Sequence, residues 1–123
     1  MLGALSGFAP MIVRNPRMGL AAHLGAMMNG LLLLALAAAW AEVRLSASRA
    51  RLATGLLLGA AYGNWAVTLA ASVTGAKEFA PLAGAGYGAS ELIEKATLGL
   101  ISLVALATLA GLGIVLSGLR KDV

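Results

Sequence analysis

Long uncharged stretches alternate with short clusters of charge along this chain, and that alternation predicts its elements. From Met18 to Ala41 there is no formal charge, from Leu52 to Ala76 there is none, and none follows Lys95 until Arg120. Each stretch exceeds the roughly 20 residues that a helix needs to cross a bilayer. The first 13 residues are apolar too, but they are shorter than a span and carry Pro10 near their end. A signal peptide is one reading of them, but no basic segment precedes the apolar stretch, which favours a span-like helix instead. They predict a short or tilted helix that stops at Asn15-Pro16, because proline disfavours helix at the residue before it. The fold expected is an all-α integral membrane protein of three to four transmembrane helices, at about 2–13, 18–42, 52–75 and 91–119, assembled as an oligomeric bundle. It forms one transmembrane domain, 1–123.

Between the third and last helices the chain is rich in Gly and Ala, with Lys77, Glu78 and Pro81, and forms the longest loop. Ser90 is placed to cap the last helix, and Glu91 and Glu94 follow where the helix dipole favours acids. Glu91 and Lys95 stand four apart and predict a pair on one face. In the third helix Gly55, Gly59 and Gly63 recur every fourth residue, a ridge of small residues for close helix contact.

Composition agrees with a lipid environment. Hydrophobic residues make up 60 %, charged residues 11 % and aromatics 5 %, with 16 glycines and no cysteine. Mean hydropathy is +0.91. A soluble chain of this size has no interior large enough to hide so much apolar surface. The lack of cysteine excludes disulfides, thiolate nucleophiles and Cys-ligated metals. The net charge is +4, but the basic residues flank apolar spans, so they report topology rather than nucleic-acid binding. Arg44, Arg49 and Arg51 form a compact basic loop; with Arg120 and Lys121 they put that end on the cytoplasmic side of a bacterial inner membrane, C-terminus included. Arg14 and Arg17 fall on the opposite side, which suggests a local task there: pairing with acids of the other outward loop or with carboxylates of a ligand.

Polar groups inside the spans carry most of the functional information, because each is costly to place in lipid. At about 1.5 Å per residue, His23 lies roughly 7–8 Å below the outer end of the second helix, and Asn29 about 16 Å below it. Asn64, ten residues from the outer end of the antiparallel third helix, reaches about 15 Å. The two asparagines therefore meet at one level. They either hydrogen-bond to each other and fix helix register, or line a polar cavity and orient a substrate. Six residues separate His23 from Asn29, about 120° around the helix, so a ligand touching both bridges adjacent faces or lies between protomers. Tyr62 and Trp65 flank Asn64, either as ordinary packing or as an aromatic wall. His23 is a packing residue, a proton relay or an axial ligand to a haem-type iron. One histidine does not make a structural zinc site, which takes four ligands. No P-loop, HExxH motif or Ser-His-Asp spacing occurs.

The string Asn15-Pro16-Arg17-Met18-Gly19-Leu20, then His23, Gly25, Asn29 and Gly30, resembles the hydroxylaminobenzene mutases. Tyr62-Gly63-Asn64-Trp65, Glu91 and the closing Gly118-Leu119-Arg120 extend the likeness. These are small membrane enzymes that convert an arylhydroxylamine to an aminophenol. A more distant resemblance is to styrene oxide isomerase, through His23-Leu24-Gly25-Ala26-Met27-Met28-Asn29-Gly30 and the position of Asn64. That resemblance implies a trimer of four-helix subunits holding haem b between them, with ferric iron as a Lewis acid. By position, His23 is then the iron ligand, Asn29 and Asn64 orient substrate, and Arg14 and Arg17 meet the haem propionates. Tyr62, Trp65 and Thr68 are the substrate wall.

Two departures accompany the resemblance. Thr68 stands where the epoxide isomerase has an active-site tyrosine, and the first helix is shorter than in either family. The function expected is a membrane isomerase of an aryl hydroxylamine. Its rivals are a haem-binding protein without catalytic activity and an accessory subunit of a larger membrane assembly. The partners expected are a small aromatic substrate, the bilayer and further copies of the chain.

Overall fold

In a computed structural model, which describes residues 1–119, the chain is a bundle of helices. Helix α1 (Leu2–Leu5) continues as 3-10 turns over Ser6–Met11, followed by α2 (Pro16–Ala38), a 3-10 turn at Trp40–Glu42, α3 (Ala47–Thr74) and α4 (Glu91–Gly118). Among the described residues there is no strand; a lone bridge pairs Val43 with Leu119. Three helices, α2, α3 and α4, are long and apolar enough to cross a membrane. Ten residues of α1 and its 3-10 extension rise only about 18 Å, well short of the roughly 30 Å hydrocarbon core.

The start of α2 is set by local chemistry. Asn15 is the N-cap, its Oδ1 accepting the Met18 N–H at 3.1 Å, and Pro16 opens the helix where a missing N–H costs nothing. The same side chain, fully buried, donates through Nδ2 to the Ala83 carbonyl at 3.0 Å, while its backbone N–H donates to Ser72 at 2.8 Å. One residue thus joins α2, α3 and the long loop. Glycines let α1 lie antiparallel against α2. A Cβ on Gly3 would stand 3.1 Å from the Ala26 Cβ, and one on Gly19 would stand 2.9 Å from Val13 Cγ2.

Several expected boundaries shift. The first helix tightens to 3-10 geometry after Leu5, where Pro10 supplies no N–H for an α-helical bond. Helix α2 ends at Ala38 rather than near 42, and α3 starts at Ala47 rather than 52. Ser46 takes the extended N-cap conformation, and the Ala-Ser-Arg-Ala-Arg run continues in helix. Arg49 and Arg51 therefore lie on the first turns of α3 and not in a loop, leaving Arg44 in the connection. Its N–H donates to the Gly118 carbonyl at 2.9 Å, tying the α2–α3 connection to the end of α4. Arg120 and Lys121 lie outside the described residues. The glycine ridge of α3 also divides. A Cβ on Gly63 would meet Val104 Cγ2 at 2.9 Å, a true close contact with α4, whereas Gly55 and Gly59 face open space within the protomer.

One carboxylate gathers three backbone N–H groups of the loop between α3 and α4. Glu94, 5 % exposed, accepts the N–H groups of Lys77 at 2.9 Å, Glu78 at 3.0 Å and Ala89 at 3.1 Å. Helix-dipole stabilisation alone is therefore the wrong description of this residue. Glu91, exposed, makes the expected pair with Lys95.

Candidate functional site

His23 is half-buried on the face of α2 that α1 covers. Its Nδ1 is 2.7 Å from the Gly3 carbonyl oxygen. A carbonyl only accepts, so Nδ1 carries a hydrogen, and the tautomer this selects has its lone pair on Nε2. No described residue bonds to that nitrogen. Gly7 lies over the same ring, and a Cβ there would stand 3.3 Å from Cε1. The imidazole is thus oriented from one side and free on the other. This is the arrangement in which a backbone carbonyl sets the tautomer of a metal-binding histidine. Among the described residues no three His, Cys, Asp or Glu side chains gather. The donor set therefore fits a metal that needs one protein ligand, as a five-coordinate haem does.

Two clefts meet at Asn29. The first, about 200 Å³, lies between the start of α1, α2 and α3 and is lined by Leu2, Gly3, Asn29, Leu33, Tyr62 and Trp65 among others. The second, about 410 Å³, lies against α4, where Asn29 and Asn64 share a wall with Ala60, Ile101, Val104 and Thr108. The asparagines thus reach one level, as their depths predict. No hydrogen bond joins them among the described residues, and neither amide has another partner there. Thr108, the other polar side chain on that wall, donates its hydroxyl to Val104 at 2.9 Å. The open donors and acceptors of the cleft belong to the two amides. Gly25 makes room for one of them, since a Cβ there would stand 3.1 Å from Asn64 Nδ2.

The remaining expected residues are placed differently from one another. Tyr62 and Trp65 line the first cleft together with Asn29. The Trp65 Nε1–H is buried and has no partner among the described residues. Thr68 is buried and lines neither cleft. Arg14 donates to the Thr74 carbonyl at 2.7 Å, and Arg17 to the Ala85 carbonyl, with its guanidinium 6.0 Å from the centre of the Tyr87 ring. Their partners are backbone carbonyls, one at the end of α3 and one in the α3–α4 loop, rather than carboxylates. Each guanidinium has five N–H donors, so both keep hydrogens to spare. Sequence reasoning missed Gly3 and Gly7, which seat the imidazole; their four-residue spacing in an apolar stretch is the signal that points to them.

The family model for styrene oxide isomerase matches residues 1–120. The chain belongs to the styrene oxide isomerase family. It is an isomerase of the membrane-embedded kind. Among curated relatives, hydroxylaminobenzene mutase HabB of Ectopseudomonas oleovorans is 33 % identical over 122 residues, covering 98 % of this chain and 74 % of the relative. Hydroxylaminobenzene mutase HabA of the same organism is 34 % identical over 106 residues, 85 % of this chain and 78 % of the relative. No solved structure matches the chain significantly. Among the described residues the amides of Asn29 and Asn64 and the Nε2 of His23 have no protein partner.

Proposed function

We propose that the protein rearranges an aryl hydroxylamine to an aminophenol, with His23 as the residue that would hold a haem b iron. The observation that carries the reading is the pair of unpartnered amides, Asn29 and Asn64, on one cleft wall of a chain a third identical to hydroxylaminobenzene mutases. The conversion is an isomerisation. The N–O bond breaks, a C–O bond forms on the ring, and a ring proton ends on nitrogen, with no oxidant or reductant consumed.

The chain's own residues hold and orient. Asn29 and Asn64 donate amide hydrogens to the hydroxyl oxygen as negative charge develops on it. In a site free of water such donors are worth several kcal/mol, on the order of 2.7–4 for one well-placed group. Ile101, Val104 and Leu109 accept the ring, and Tyr62 and Trp65 wall the adjoining cleft. His23 would hold the iron through Nε2, and the spare hydrogens of Arg14 and Arg17 would meet the propionates. Bound there, the iron would supply Lewis acidity toward the substrate heteroatom.

Because His23 and Asn29 lie on different faces of α2, a guest that touches both lies between adjacent faces or between protomers. A homotrimer in the bacterial cytoplasmic membrane, C-terminus cytoplasmic, accommodates this. Arg44, Arg49 and Arg51 at one end support the orientation.

The test is an absorption spectrum of detergent-purified protein, followed by phenylhydroxylamine. The expected result is a Soret band, lost in His23→Ala, with conversion to an aminophenol. Protein without bound iron contradicts the haem assignment. Haem-loaded protein that leaves phenylhydroxylamine unchanged contradicts the mutase assignment.

A further inference from the structure

Helices α2 and α3 enclose a groove that runs from Leu33, where it adjoins the first cleft, toward the basic end of the bundle. It measures about 410 Å³ and is lined by Leu33, Leu36, Trp40, Thr54 and Leu58 among others. Nearly all of that wall is hydrocarbon, so water has few partners in it. An acyl chain fits such a surface.

The mouth of the groove has a different character. Helix α3 has 28 residues, about 42 Å of rise, against a hydrocarbon core of about 30 Å, so its first turns lie among headgroups. Arg49 and Arg51 are on those turns. Arg49 is engaged, its Nη2 donating to Ser117 Oγ at 2.7 Å. Arg51 is exposed and has no partner among the described residues. It precedes Thr54 by three residues and Leu58 by seven, the spacing of one helical face. The same stripe that walls the groove therefore ends in an unpaired guanidinium. Trp40, in the turn after α2, lies at the same end, at the depth where indole rings favour the membrane interface.

We propose that this groove binds an anionic glycerophospholipid, one acyl chain against Leu33, Leu36 and Leu58 and the phosphate against Arg51. A single arginine near the surface is worth about a fivefold preference for a net-negative headgroup. The groove shares Leu33 with the cleft beside Asn29, but its Arg51 end lies outside that cleft and the lipid assignment does not depend on the substrate.

Native mass spectrometry of the full-length protein in detergent tests the proposal, using phosphatidylglycerol and phosphatidylcholine with identical acyl chains. The wild type retains phosphatidylglycerol about fivefold more strongly. Arg51→Gln brings the two lipids level, and Arg51→Lys keeps the preference. Leu58→Trp, which fills the groove, lowers retention of both lipids. Equal retention by the wild type overturns the proposal. So does a preference that survives Arg51→Gln, which would trace it to the overall positive charge, or a Leu58→Trp variant that binds both lipids as before.

Discussion

Replacing Glu94 with glutamine tests how the α3–α4 loop is held. The carboxylate, 5 % exposed, accepts three backbone N–H groups: those of Lys77 and Glu78 on Oε2 and that of Ala89 on Oε1. Glutamine can offer its one oxygen to the first two, leaving its NH2 pointed at the Ala89 N–H. Hydrogen bonds to an ionised group contribute about 1.5–3 kcal/mol each, against about 0.5–1.5 for neutral ones. Two bonds therefore weaken by about 1 kcal/mol each, and a third is lost with a desolvation cost of about 1–3 kcal/mol. The expected loss is about 3–5 kcal/mol, concentrated in the loop. Limited proteolysis between residues 77 and 89, alongside thermal denaturation in detergent, reads both quantities. Faster cleavage and a lower melting temperature are expected. A Glu94→Gln protein that melts with the wild type and resists cleavage equally would refute the reasoning.

Three further outcomes follow from the same contacts. Arg17→Ala removes the link to the Ala85 carbonyl and the contact with Tyr87, so it adds to loop cleavage less than additively in a Glu94→Gln background, measured as a double-mutant cycle. Gly63→Val forces α3 away from Val104 and destabilises by about 1–3 kcal/mol, whereas Gly59→Ala, which faces open space, changes the melting temperature little. Gly7→Val crowds the His23 ring, whose Cε1 would lie 3.3 Å from the new Cβ, and turnover of phenylhydroxylamine falls at least about tenfold. Unchanged turnover would mean that the ring's seat against α1 is irrelevant to chemistry.

The spans were legible in the sequence because the bilayer imposes a simple rule: an uncharged stretch of sufficient length is a helix. Charge placement alone suggests a loop at Arg49 and Arg51, which instead lie on the first turns of α3. Arginine is a good helix former, and a helix longer than the hydrocarbon core can carry charges on its end turns. Depth along antiparallel helices predicted that Asn29 and Asn64 would share a level, since rise per residue is fixed. Whether they would bond to each other depends on rotation and side-chain rotamers, which spacing alone does not supply. The same limit applied to Gly55, Gly59 and Gly63, identical in pattern, of which only Gly63 meets a neighbour closely. Position on the helix shows only a dipole partner in Glu94, because its loop contacts come from residues 5 to 17 positions away. The link from His23 to Gly3, 20 residues back, was hidden for the same reason.

The account depends on two amides facing a substrate rather than each other. Turnover of phenylhydroxylamine to aminophenol by purified wild type, Asn29→Ala and Asn64→Ala measures this most directly, with melting temperatures recorded in parallel. Each substitution is expected to lower kcat by about 10²–10³ while the melting temperature moves by no more than a few degrees. Variants that keep wild-type kcat but melt much earlier would show that the asparagines hold helices together, and would contradict the assignment.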